Sequence, residues 1–312
     1  MNDNEKYFAG ILFENKIFKA NGQAFEDLFT QVMGLLYEDF RKVKAYGSDG
    51  DRKNDGFIPT TNTYFQCYAP ENIQKSEAIL INKLNTDFKG LVNHWEGEGF
   101  KVETFYLAVN DKDKGLSPSS YSELEKLKNS HSEVKIDFLL IPQLKRLFNE
   151  LKKLQVMQVV GLIPTDEIGD LDFWALGEVI IHILKNQVPI DFNENYEDRN
   201  DFEEKIKLNG LTKRVSGILN TASHQEKAIE SFILENKKNS VQAIRDRFVN
   251  YYNDSKLQHQ NNIENYADKR FFFISNAALP DVQNENNSKK IQDAIFILMA
   301  YFFEACDIFE TN

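Results

Sequence analysis

Three oxygen-bearing side chains stand where the sequence pattern could bring them together: Glu26, Asp55 and Gln66. Glu26 falls in an apolar-periodic helical stretch. Asp55 opens a short strand, and Gln66 sits on the next one, amid Tyr64, Phe65, Cys67 and Tyr68. Adjacent strands run about 5 Å apart, so an acid at the start of one can face an amide on its neighbour. Carboxylate and amide oxygens suit a hard divalent cation such as Mg2+ or Mn2+, which keeps waters and substrate phosphate oxygens as its other ligands. Such an ion activates water and stabilises the charge that builds on a phosphodiester. A glutamine on a buried aromatic strand also needs a polar partner.

The same segment admits plainer readings. Asp49, Asp51 and Asp55, set around Gly50 and Gly56, also suit a simple turn. A calcium loop starting at Asp49 would put its closing ligand at Thr60, which carries no carboxylate. Arg41, Lys42, Lys44, Arg52 and Lys53 bracket the segment. They either track a phosphate backbone or guard a strand edge against aggregation. The five histidines show no short metal-ligand spacing, and His182, inside the run VIIHIL, reads as a core histidine. No phosphate-cradling G-x-x-x-x-G-K-[ST] is present, so ATP dependence would come from a partner.

The elements that must position these residues follow from periodicity. Helices are expected over 5–18 and 23–38, strands over 41–45, 56–60 and 63–69, and a long helix over 73–95 with Ile79, Leu80, Leu84, Phe88 and Leu91 inward. The apolar runs 102–109 and 134–141 read as buried strands, with helices over 120–130 and 143–154. Strands separated by helices predict an α/β domain with a mixed sheet flanked by helices over 1–157. From 158 to 312 helical signals dominate, at 171–186, 201–208, 210–219, 224–236, 239–254 and 288–309. Residues 189–202 and 281–289 are acidic, Asn-rich loops. The last helix is apolar nearly all round, which makes it either a central core helix or an assembly surface.

A net charge of −11 argues against a basic nucleic-acid coat but leaves room for a local basic groove. Cys67 and Cys306 are expected to be reduced thiols. With no cationic leader and no apolar run of about 18 residues, the chain is expected to be cytoplasmic and free of membrane.

Three segments together carry a family resemblance: Gln23-Ala24-Phe25-Glu26-Asp27-Leu28-Phe29, Asp49-Gly50-Asp51-Arg52-Lys53-Asn54-Asp55-Gly56 and Gln66-Cys67-Tyr68. They resemble the PD-(D/E)XK restriction-endonuclease-like superfamily, in particular its Mrr-like and related defence-nuclease branch, over roughly residues 20–155. The resemblance implies a metal-dependent DNA endonuclease in which Asp55 and Gln66 hold Mg2+ or Mn2+ and Glu26 adds a ligand or positions a water. It also shows a departure, because Tyr68 occupies the family's lysine position. A tyrosine carries no positive charge, and its pKa near ~10 makes it a poor base. Lys75 and Lys53 are the stand-ins within reach in sequence.

The ending Ala-Tyr-Phe-Phe-Glu-Ala-Cys-Asp-Ile-Phe looks like the C-terminal segment of bacterial ABC-three-component defence systems. That similarity implies an SMC-like ABC ATPase and a small middle subunit as partners. Three functions are therefore expected to compete. One is a metal-dependent endonuclease. The second is a catalytically silent fold that binds nucleic acid or a partner. The third is an assembly subunit, homo-oligomeric or docked on an ATPase.

Overall fold

The computed structural model describes residues 1–44, 53–185, 202–235, 239–280, 287–305 and 308–311. Most of the Asp/Gly turn, including Asp49, Asp51 and Arg52, lies outside these residues, as do Cys306 and most of the two Asn-rich loops. The chain divides into two compact units. One is Lys16–Gly161; the other joins Met1–Asn15 to Leu162–Asn312. The sequence division had run 1–157 and 158–312; the first fifteen residues group with the helical region instead.

In the first unit, α2 (Gln23–Leu36) precedes β1 (Arg41–Lys42), β2 (Gly56–Ile58) and β3 (Thr63–Tyr68). Then α3 (Glu77–Gly97), β4 (Thr104–Val109), α4 (Pro118–Ser130), β5 (Lys135–Leu139), α5 (Ile141–Asn149) and α6 (Lys153–Val160) follow. The five strands form one mixed sheet in the order β1-β2-β3-β4-β5. The first three are antiparallel neighbours, whereas β3, β4 and β5 run parallel. Parallel pairing requires crossovers of a dozen or more residues, and α3 and α4 supply them. The sheet is expected from the alternation of strand and helix signals, and the structure has it.

Period-2 alternation sorts the residues of β3. Tyr64, with Tyr68 at its edge, joins a core built from Leu80, Leu84, Phe88 and Leu91 of α3 and from β4, α4 and β5. Phe65 turns the other way, onto Phe29 of α2, with ring centroids 5.5 Å apart. Ile79 was expected in the α3 stripe, but it is exposed; it sits one position off the Leu80–Leu84–Leu91 face. The single helix expected over 143–154 is two helices, α5 and α6, parted at residues 150–152.

The carbonyl end of α1 (Asp3–Lys19) is closed by side chains from beyond β4. Asn110 Nδ2 donates to Ile17 O and Ala20 O, both at 2.8 Å. Lys112 Nζ donates to Phe18 O at 2.8 Å and Ala20 O at 3.0 Å. The last carbonyls of a helix lack partners within it and favour a cation. Burial, with the nearby Lys114 charge, lowers the Lys112 pKa to about 8.

The second unit is helical: α7 (Phe173–Leu184), α8 (Phe202–Asn209), α9 (Lys213–Ser223), α10 (Glu226–Glu235), α11 (Asn239–Gln258), α12 (Tyr266–Ala277) and α13 (Ser288–Glu304). The apolar last helix is core: Ile291, Ile295, Phe296, Ile297, Leu298 and Met299 are all buried. α12 escaped sequence detection. It is buried on all sides, so it lacks a one-sided apolar stripe. Its Asp268 accepts from Thr212 N (2.9 Å), Thr212 Oγ1 (2.6 Å) and Tyr7 Oη (2.7 Å). Among the described residues no helix is long and apolar enough to cross a membrane.

Candidate metal and phosphodiester site

The register of β2 on β3 pairs Gly56 with Phe65, Phe57 with Tyr64 and Ile58 with Thr63. Asp55 lies just before β2, outside this register, and its backbone N donates to Phe65 O at 2.8 Å. The Asp55 and Gln66 side chains are both buried, at 5% and 4% exposure. Asp55 Oδ2 accepts from Cys67 N at 2.6 Å, which ties the carboxylate to the backbone near the end of β3. Gln66 Oε1 is buried without a hydrogen-bond partner among the described residues. Leaving a buried acceptor unpaired costs roughly 1–3 kcal/mol.

Asn54, next in the chain, repeats the pattern. It is wholly buried; its Oδ1 accepts from Gly56 N at 3.0 Å, while Nδ2 is without a partner among the described residues.

Glu26 lies on α2, half-buried, with Lys42 Nζ at 3.6 Å. Lys42 also meets Asp27 at 2.6 Å. The half-buried Cys67 thiol reports the charges around it. Burial pushes its pKa well up, Asp55 and Glu26 push it further, and Lys83 and Lys42 oppose them. Two carboxylates and two ammonium groups therefore act on one point of β3.

Lys53 adopts a left-handed backbone, φ 61°, just before the site. Its Nζ lies 3.2 Å from Asp87 Oδ1, and Lys83 pairs with the other oxygen of the same carboxylate. Asp87 is buried on α3, and a buried carboxylate persists only with cations or donors around it. Lys75 ends a 3-10 turn (Ile73–Lys75) and is exposed. Tyr68 ends β3, half-buried, with its ring packed on the α3 and α4 core. The structure thus ties Asp55 to the backbone of β3 at Cys67, next to Gln66, ties Lys53 to α3 and leaves Lys75 in solvent.

Lys83, Asp87 and Asn54 were not singled out in the sequence. For Asp87 a signal existed, since an acid at the 84+3 position interrupts the inward stripe of an amphipathic helix. Its i−4 lysine was the partner to expect.

Among the described residues there is no cluster of three His, Cys, Asp or Glu side chains able to hold a metal. The donors that could hold a cation here are mixed, the Asp55 carboxylate and the Gln66 amide oxygen, which has no partner among the described residues. They suit Mg2+ or Mn2+, which take few protein ligands. His182 is half-buried with Nε2 3.3 Å from Ala277 O, in keeping with a structural histidine.

Residues 175–310 match the family model of C-terminal domain 10 of the ABC-three component systems. The chain is accordingly a component of an ABC-three-component defence system, which implies ATPase-containing partner subunits. No curated protein and no solved structure matches the chain.

Proposed function

We propose that the unit Lys16–Gly161 is the nuclease effector of this system, a metal-dependent DNA endonuclease centred on Asp55 and Gln66. One observation carries the reading: a buried carboxylate is tied to the backbone one residue from a buried amide whose oxygen has no partner among the described residues. A fold that needed only stability would replace that amide with an apolar residue. Mg2+ or Mn2+ held by Asp55 and Gln66, with Glu26 contributing a ligand or a water contact, would supply Lewis acidity and a lowered water pKa.

The chain's own residues would do the rest. Asp55 is held to β3 by the Cys67 amide, which would fix the orientation of its carboxylate. Lys83 on α3, which pairs with the buried Asp87, would provide positive charge where the strand offers only Tyr68. Charge aimed at a developing oxyanion in a dry site is a large catalytic contribution. Arg41, Lys42 and Lys44, exposed on and after β1, offer a basic edge for the phosphate backbone of DNA.

A second reading has its own support. Tyr68 is committed to the core and brings no charge, which favours a fold that grips DNA or a partner without hydrolysis. Supercoiled plasmid with Mg2+ or Mn2+, incubated with the chain alone and with its ATPase-containing partners, separates the two. Nicking that disappears in Asp55→Ala supports the nuclease. Plasmid retardation with no nicking under any condition supports the binding subunit.

A further inference from the structure

Three consecutive residues before β2 are each tied to a different part of the unit Lys16–Gly161. Asp55 is held on β3, its Oδ2 accepting from Cys67 N at 2.6 Å and its N donating to Phe65 O at 2.8 Å. Asn54 Oδ1 accepts from Gly56 N at 3.0 Å. Lys53 is tied to α3 instead, with Nζ 3.2 Å from Asp87 Oδ1. The Lys53 backbone is left-handed, φ 61°. A residue with a β-carbon is uncommon in that region and persists where its surroundings over-determine it.

Gly90 makes room for the Lys53 side chain. It lies three residues after Asp87, on the same face of α3. A β-carbon at position 90 would stand 3.0 Å from Lys53 Cγ and 4.0 Å from Lys53 Cβ, and would meet no other atom of the described residues within 4 Å. Carbon atoms pack best at about 3.5–4.0 Å, so a side chain at 90 displaces the lysine stem. Glycine weakens a helix interior relative to alanine, and its use is close approach by a neighbour. Here that neighbour is Lys53.

Asp87 has a cation of its own helix. Lys83, four residues earlier, pairs with its other oxygen, and the carboxylate is 2% exposed. A buried carboxylate needs such a partner, and a lysine one turn away meets the need locally. What the second lysine adds is a link from α3 to the residue two before Asp55.

We infer that Lys53, laid across Gly90 onto Asp87, is a positioning residue that holds the Asp55 carboxylate on the Cys67 amide and so presets the cation site. This rests on the proposal that Asp55 and Gln66 hold a divalent cation, and concerns how the carboxylate is fixed before the cation arrives. A group placed in advance lowers the ordering cost of binding. Residues that orient a metal ligand without touching the metal typically change its affinity about 10–100-fold.

The test uses the full chain, free of metal and isotopically labelled at its cysteine backbone nitrogens. Two amide signals result, from Cys67 and Cys306, and Cys67→Ser identifies the first. Lys53→Met keeps the stem and removes the charge. It should speed solvent exchange of the Cys67 amide and weaken Mn2+ binding, read by calorimetry, about 10–100-fold, with the melting temperature unchanged. Gly90→Leu favours the helix but blocks the lysine stem. It should therefore act on Cys67 and Mn2+ in the same direction while the melting temperature stays or rises. Lys75→Met should change neither. Wild-type exchange at Cys67 in folded Lys53→Met and Gly90→Leu proteins would overturn the inference, and so would faster exchange with unchanged Mn2+ affinity. A wild type that binds no Mn2+ would sink the cation reading itself, and the Cys67 amide would then still decide whether Lys53 holds Asp55.

Discussion

Asp55 accepts from the Cys67 amide at 2.6 Å, one residue along β3 from Gln66; both side chains are buried, and the Gln66 amide oxygen has no partner among the described residues. The consequences of that arrangement run in opposite directions for stability and for function.

Gln66→Leu removes the orphaned acceptor and keeps the volume. Relief of an unpaired buried group worth roughly 1–3 kcal/mol should keep or raise the melting temperature in the absence of metal. The same change should abolish Mg2+-dependent cleavage. A thermal melt beside a plasmid assay checks both, and a destabilised Gln66→Leu protein would show that the amide has a structural partner.

The lysines should separate by position. Lys83 is anchored on α3 by the buried Asp87, and its charge opposes the rise of the Cys67 pKa near the end of β3, whereas Lys75 sits in solvent. Lys83→Ala is expected to lower the cleavage rate by about 10²–10³-fold, the range for loss of one transition-state donor. Lys75→Ala should change it less than about threefold. Single-turnover cleavage rates decide, and the reverse order would move the catalytic charge to the turn after β3.

Much of this arrangement was legible beforehand, and the omissions have physical causes. The sheet and its helices follow from apolar runs bounded by turns, and the burial of Gln66 from its place on an aromatic strand. Lys83 and Asp87 were hidden because a helical lysine is usually a solvated one; only the crossing of α3 over β3 gives it a role. α12 was hidden because Asp268 and Arg270 are buried beside Phe271 and Phe272, so burial on all sides erased the period. The grouping of residues 1–15 with the helical unit is a long-range fact, set by pairs such as Tyr7 with Asp268, to which no local pattern points.

The N-terminal helix should therefore be a stability element of the helical unit. Phe8 is 2% exposed, with its ring centroid 5.1 Å from that of Phe272. Phe8→Ala is expected to cost about 3–5 kcal/mol, read by denaturant unfolding. A cost near zero would mean that α1 is dispensable to that unit.

Lys112 predicts a pH dependence. Its ordinary pKa of 10.5 falls to about 8 in the folded chain, so between these values the unfolded chain holds the extra proton. Stability from this group should therefore rise as pH goes from about 8 to 10.5, by up to about 3 kcal/mol. Lys112→Met should flatten that rise in urea melts taken across the window. An unchanged slope would place Lys112 outside the cause.

The central claim is that Asp55 and Gln66 form one cation site, and Mn2+ binding to the full chain by calorimetry tests it most directly. Wild type should bind Mn2+, and both Asp55→Ala and Gln66→Leu should lose that binding while remaining folded. Equal Mn2+ binding by all three proteins would contradict the account.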